Sequence, residues 1–179
     1  MKVLSINLGS PEEIGTSRSG KVISAINKIP VRRSVLARKL SLEGDHQADL
    51  KVHGGAEKAV YVYPSENYVH WQRSSSSKLP WGSFGENLTT EGLSEETTFL
   101  GDRLLIGSAE FSVTRPRFPC SKLGLKFGTQ KMVKLFSEYG RSGFYLKVLK
   151  EGKLKAGDEI TLIHDANSES VADFFRRNV

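Results

Sequence analysis

The chain has 179 residues, a formal net charge of +6 from 26 basic and 20 acidic side chains, and one cysteine, Cys120. That length fits one domain, or one domain with a short appendage, and buries about 70% of its unfolded surface without help from a disulfide or structural metal. A single cysteine excludes an internal disulfide and fits a reducing compartment. The start, MKVLSINLGS, is too short and wrongly flanked for a signal peptide, and no stretch reaches the length of a membrane span. The expectation is a soluble cytoplasmic protein with no membrane partner. The sequence pI near 9.4 favours an anionic partner. No basic run with interleaved aromatics argues for nucleic acid.

In chain order, Lys2 to Leu8 carries Val3, Leu4, Ile6 and Leu8 and reads as a first strand, ended by Gly9-Ser10-Pro11. Pro11 to Gly20 is polar and reads as a loop; Lys21 to Ile26 and Pro30 to Leu36 read as two strands. Residues 44 to 55, Gly-Asp-His-Gln-Ala-Asp-Leu-Lys-Val-His-Gly-Gly, are too polar and glycine-rich for a regular element, yet hold two histidines, two aspartates and a lysine. Ala59 to Tyr63 is β-like, and Pro64 opens a helix through Trp71. Ser74 to Pro80 is an exposed loop, and Phe84 to Leu88 leads back into ordered structure. Thr97 to Thr114 reads as a hairpin with Gly101-Asp102 and Gly107-Ser108 turns, and the Gly-Asp strand unit recurs at Gly157 to Ile163. Met132, Leu135, Phe136 and Tyr139 lie on one face of a helix over Thr129 to Tyr139. Gly143 to Leu149 is a further strand, and Ser168 to Arg177 a closing helical segment. Short strands at this spacing predict a mainly β chain, a small, strongly bent barrel or sandwich with a few peripheral helices.

The chemistry centres on Arg115 to Gly124, where Cys120 lies among Arg115, Arg117 and Lys122, with Pro116 and Pro119 stiffening the approach. Nearby cations favour the thiolate, the nucleophilic and metal-binding form. The bland alternative is a small buried apolar residue. A Cys-His nucleophile pair with His46 or His53 is a second option. A structural zinc site fails, since one cysteine and four histidines show no paired ligand spacing. A P-loop or dinucleotide fingerprint is also absent. The remaining option is a soft metal or phosphate-bearing cofactor held by the thiolate. Lys28, Lys51, Lys58, Arg115, Arg117 and Arg141 would then supply charge from the loops singled out above.

The succession Gly44-Asp45-His46-Gln47-Ala48-Asp49, Lys51-Val52-His53-Gly54-Gly55, Lys58-Ala59-Val60-Tyr61, Tyr63-Pro64, Phe84-Gly85-Glu86-Asn87-Leu88, Gly101-Asp102 and Pro116 to Leu123 resembles the MOSC family. These domains are similar to the C-terminal part of molybdenum cofactor sulfurases. The branch it most resembles is that of the YiiM-like, 6-N-hydroxylaminopurine-resistance proteins. The resemblance, over residues 20 to 164, implies a compact β-barrel-like fold. It implies a domain over 1–164, with 165–179 as a short helical tail where full-length YiiM-like proteins carry a three-helix module. It implies the molybdenum cofactor, a molybdopterin in mono- or dinucleotide form, with Cys120 as catalytic sulfur and metal ligand. By motif it assigns Lys28, His53, Gly54, Gly55, Arg117, Lys122 and Arg141 to the cofactor, and Lys51, Lys58, Asn87 and Arg115, in or beside the same segments, complete the expected cofactor-binding set. The implied activity is reduction of an N-hydroxylated small molecule with electrons from a separate reductase. A sulfur carrier using a Cys120 persulfide is the alternative, and a basic barrel binding nucleic acid ranks last.

Overall fold

The protein is described here by a computed structural model that covers residues 1–18, 20–48, 54–73, 78–165 and 168–179. The first strands are β1 (Lys2–Leu8), β2 (Glu12–Ser17), β3 (Gly20–Ser24), β4 (Ile29–Val31), β5 (Val35–Ala37) and β6 (Val60–Pro64). Helix α1 (Ser65–Gln72) follows, then β7 (Leu88–Glu91), β8 (Arg103–Ile106) and β9 (Ala109–Pro116). Helices α2 (Ser121–Lys126) and α3 (Lys131–Tyr139) precede β10 (Phe144–Lys150), β11 (Gly152–Leu154), β12 (Ile160–Ile163) and α4 (Val171–Arg177).

Eight strands form one sheet in the order β12-β8-β9-β10-β6-β7-β1-β4, antiparallel except for the β6–β7 pair. Two-stranded ribbons, β2–β3 and β5–β11, stand beside it. The barrel-like expectation is therefore corrected: the sheet is open, and the fold is mixed α/β. The reason lies in β1. One edge pairs with β7, and the other is shared between β4, along Ile6 to Leu8, and the entry to β12, which bridges at Lys2–Glu159 with hydrogen bonds confined to Met1 and Val3. Neither partner runs the length of β1, so β4 and β12 end the sheet without meeting in a ladder.

Residues 60–63 explain the layering. Strand side chains alternate between faces, and both faces of β6 are buried. Val60 and Val62 join an aliphatic core with Ile6, Leu88, Leu104, Phe111 and Leu146. Tyr61 and Tyr63 point the other way, into an aromatic layer with Tyr68 and Trp71 of α1, Phe84, Leu123 of α2 and Phe136 of α3. A strand buried on both sides reads as a continuous apolar run, which is how this segment looks in the sequence.

Other departures from the sequence reading are local. Pro11 to Gly20, read as a loop, contains β2. Pro30 to Leu36 is two short strands rather than one, and residues 121–126 form a helix inside the stretch read as the cysteine loop. Of the α3 face, Met132 and Phe136 are buried while Leu135 is half exposed. The serine loop at 74–77 lies outside the described residues. Among the described residues no helix is long and apolar enough to cross a membrane.

Candidate functional site

The cysteine segment hangs between the end of β9 and α2. Arg117 N donates to Gly143 O (3.1 Å), fixing the segment against the turn that enters β10. Cys120 is extended (φ −137°, ψ 176°) and half-buried, and its carbonyl accepts from Leu123 N (2.9 Å) as α2 begins. Leu123, fully buried in the aromatic layer, anchors that helix.

Arg117 is buried beneath the segment. Its Nη1 donates to Tyr61 Oη (3.2 Å) and Phe84 O (2.9 Å), and its guanidinium lies 4.7 Å from the centre of the Tyr61 ring. Tyr61 donates onward to Ser142 O (2.8 Å). Burial lifts the Tyr61 phenol well above the usual tyrosine range, so it stays neutral. Arg117 is thus a cation held by neutral oxygens and π faces, within electrostatic reach of Cys120.

A cleft opens over this platform, with about 750 Å³ of empty space including its mouth. One wall is Arg117, Phe118, Cys120 and Lys122; Lys58, Tyr61 and Tyr145 form the back. The opposite wall is built on Asp45, which accepts from Gly9 N (2.8 Å), Lys28 Nζ (2.5 Å) and Asn87 Nδ2 (2.8 Å). Asn87 Oδ1 accepts from Tyr61 N (3.0 Å), so one amide ties this wall to β6. Burial drives the Lys28 ammonium below the ordinary lysine range, against the pull of Asp45 and Glu86. Gln47 closes the lower rim: it donates to Leu40 O (2.6 Å) and Lys58 O (3.1 Å) and accepts from Gly55 N (2.7 Å). Gly55 sits at φ +93°, a conformation glycine adopts without steric cost.

Of the residues named from the sequence, Cys120, Lys28, Lys58, Asn87, Arg117 and Lys122 meet in this one cleft. Gly54 and Gly55 form the turn that Gln47 holds at its edge. Arg115 and Arg141 are not brought there; both are exposed, and Arg141 pairs with Glu96 at 2.9 Å. Lys51 and His53 lie outside the described residues. His46 lines the cleft, but among the described residues no hydrogen bond joins it to Cys120. The roles of Asp45, Gln47, Tyr61 and Tyr145 were not read from the sequence. The signal for Asp45 was its place in an otherwise unexplained polar loop, and for Tyr61 its alternation with Val60 and Val62.

The MOSC domain profile matches residues 49–161, which span most of the sheet, the cleft's back wall and the cysteine segment. The chain belongs to the MOSC domain family. Within it, the chain is 42% identical to the uncharacterized protein YflK of Bacillus subtilis over 161 residues, covering 90% of this chain and 72% of that one. It is 36% identical to protein YiiM of Escherichia coli, covering 84% and 68%. The crystal structure of YiiM from Geobacillus stearothermophilus superposes with a TM-score of 0.80 at 34% identity, over 98% of this MOSC chain and 82% of that one. This chain is thus a close relative of the YiiM and YflK branch. A Gibberella moniliformis protein named as a reductase is 33% identical over 80% of this chain, which spans 26% of that protein's length.

Proposed function

We propose that this MOSC protein is an oxidoreductase that holds a molybdenum cofactor in the cleft and reduces N-hydroxylated small molecules with electrons from a separate reductase. The observation that carries the reading is the donor set: one half-buried thiol, Cys120, shares a cleft with Lys28, Lys58, Arg117 and Lys122. A molybdopterin brings its own sulfur ligands and an anionic phosphate, so it asks of a protein one soft ligand and several cations. Among the described residues no group of three His, Cys, Asp or Glu side chains converges to hold a bare metal ion. The site suits a metal that arrives already ligated better than one the protein must enclose.

In this reading Cys120 supplies the thiolate, and Lys58 and Lys122 hold the phosphate. Arg117 fixes the cysteine segment from below and lends its charge through the wall. Asn87 keeps the Asp45 wall in register with β6, and the Gly54-Gly55 turn lets backbone approach the pterin. When bound, the molybdenum centre supplies the two-electron chemistry; the polypeptide binds, orients and protonates.

Protein made in a cofactor-producing host should carry close to one molybdenum and one pterin per chain, and Cys120→Ser should lose the metal while remaining folded. Folded wild-type protein free of both metal and pterin would overturn the reading.

A further inference from the structure

The Asp45 wall contains a buried cation whose donors are only partly used. Lys28 and Asp45 have side chains 7% and 4% exposed, and both line the cleft. An ammonium group has three N–H donors. Among the described residues, Lys28 Nζ donates to Asp45 Oδ1 alone. Lys126, on the other side of Asn27, provides the contrast: its Nζ donates to Ile26 O (3.1 Å), Asn27 Oδ1 (3.1 Å) and Gly82 O (3.5 Å) and is saturated. Both oxygens of Asp45 are engaged, Oδ1 by Gly9 N and Lys28 and Oδ2 by Asn87. A carboxylate fixed by three donors holds the ammonium in place. Two N–H bonds of a desolvated cation are therefore left for whatever fills the cleft, and a buried donor without an acceptor is costly.

We propose that Lys28 is the proton donor of this cleft, hydrogen-bonding the hydroxyl oxygen of the N-hydroxylated substrate and protonating it as the N–O bond breaks, with Asp45 as its positioning residue. The proposal rests on the reductive reading above. The overall change is R–NHOH plus two electrons and two protons to R–NH2 plus water. The reductase protein supplies both electrons. The N–O bond breaks, its oxygen takes the Lys28 proton and leaves as water, and the nitrogen takes the second proton from solvent. Solvent then recharges the Lys28 amine.

The surroundings fit an acid rather than a fixed charge. Burial weakens the hold of Lys28 on its proton, while Asp45 and Glu86 strengthen it. Lys126 flanks it from α2, and His46, Lys58 and Lys122 line the same cleft. A general acid works best when its pKa approaches the working pH. Saturated Lys126, pushed down to about 8, donates only to protein acceptors and has no donor left for a ligand.

The test compares the loaded wild type with Lys28→Arg and Lys28→Met, using an N-hydroxylated purine and reduced viologen as electron source. Arginine keeps the charge and the Asp45 contact but does not give up its proton. Lys28→Met strands Asp45 and serves as the second variant, with its melting curve recorded alongside. We expect kcat of Lys28→Arg to fall about 100-fold, within the range general acids contribute. KM, molybdenum and pterin content should stay within twofold of wild type. The alkaline limb of the wild-type kcat profile should vanish in the variant. Wild-type kcat in Lys28→Arg would overturn this proposal and leave the reductive reading standing. So would loss of molybdenum in proportion to activity, which would make Lys28 a cofactor holder. A fully loaded wild type that reduces no N-hydroxylated compound would overturn the reading and this proposal together.

Discussion

Glu95 is the residue on which the chain's stability responds most instructively to pH. It is 1% exposed; its Oε1 accepts from Asn67 Nδ2 (2.9 Å) and Gly143 N (2.8 Å), while its Oε2 has no partner among the described residues. Burial raises its pKa above the ordinary carboxylate value, and the hydrogen bonds only partly offset this. A carboxyl whose folded pKa is raised contributes stability that is complete below its unfolded pKa and lost as pH rises through the folded one. Glu95→Gln keeps the accepting oxygen and removes the buried charge, replacing the unpartnered oxygen with a neutral N–H group. The variant should gain on the order of 1 kcal/mol at pH 8, and the gain should disappear near pH 4. Urea denaturation at the two pH values checks this, and a loss of stability at pH 8 would contradict it.

At the scale of elements, the turn entering β10 is the joint between scaffold and site. Gly143 sits at φ +69°, and a Cβ built there would lie 2.2 Å from Val62 O in the central strand. The neighbour is backbone of a strand paired on both sides, so it cannot give way. The same residue accepts from Arg117 N and donates to Glu95, so its displacement moves the cysteine segment. Gly143→Ala should cost more than about 3 kcal/mol, combining positive-φ strain with overpacking. In a thermal melt a domain of this size loses about 2–4 °C per kcal/mol, so a drop under about 5 °C would show that the turn yields after all.

Elements also differ in how far the sequence revealed them. β10 alternates and packs one face on the core, and β1 carries Val3, Ile6 and Leu8 into the core from a run buried along most of its length, so both were legible. β2 was not, because Glu12-Glu13-Ile14-Gly15-Thr16-Ser17 belongs to an exposed ribbon and shows no period-two apolar signal. α2 was hidden because it is six residues long and follows directly on the proline-stiffened segment. In the site, Cys120, Arg117 and Lys122 were legible as near neighbours in the chain. The Lys28–Asp45 pair was not, because the two are 17 residues apart and meet only when β4 docks on β1.

At the scale of the molecule, the open sheet separates two jobs. The aliphatic side and the β12–β8 edge hold the fold together. The aromatic side carries Tyr61 and Arg117 and supports the cleft, whose walls come from distant parts of the chain: Lys28 and Asp45, Lys58, then Arg117 to Lys122. Few hydrogen bonds fasten the walls to the sheet: Asn87 ties the Asp45 wall to β6, and Gly143 ties the cysteine segment to the turn that enters β10. A ligand bridging the walls would supply contacts that the polypeptide alone lacks, and binding to the folded state alone stabilises it by mass action. Amide exchange should therefore slow on cofactor loading in residues 24–28, 45–48, 55–58 and 117–126. β8, β9 up to Thr114, and β12 should exchange at the same rate with and without it. Protection spread evenly over the sheet would mean that loading tightens the whole fold. Protection confined to the β12–β8 edge would place the ligand away from Cys120. Slowing limited to the cleft walls is the pattern this architecture requires, because only there does a ligand join segments that the sheet leaves loosely connected.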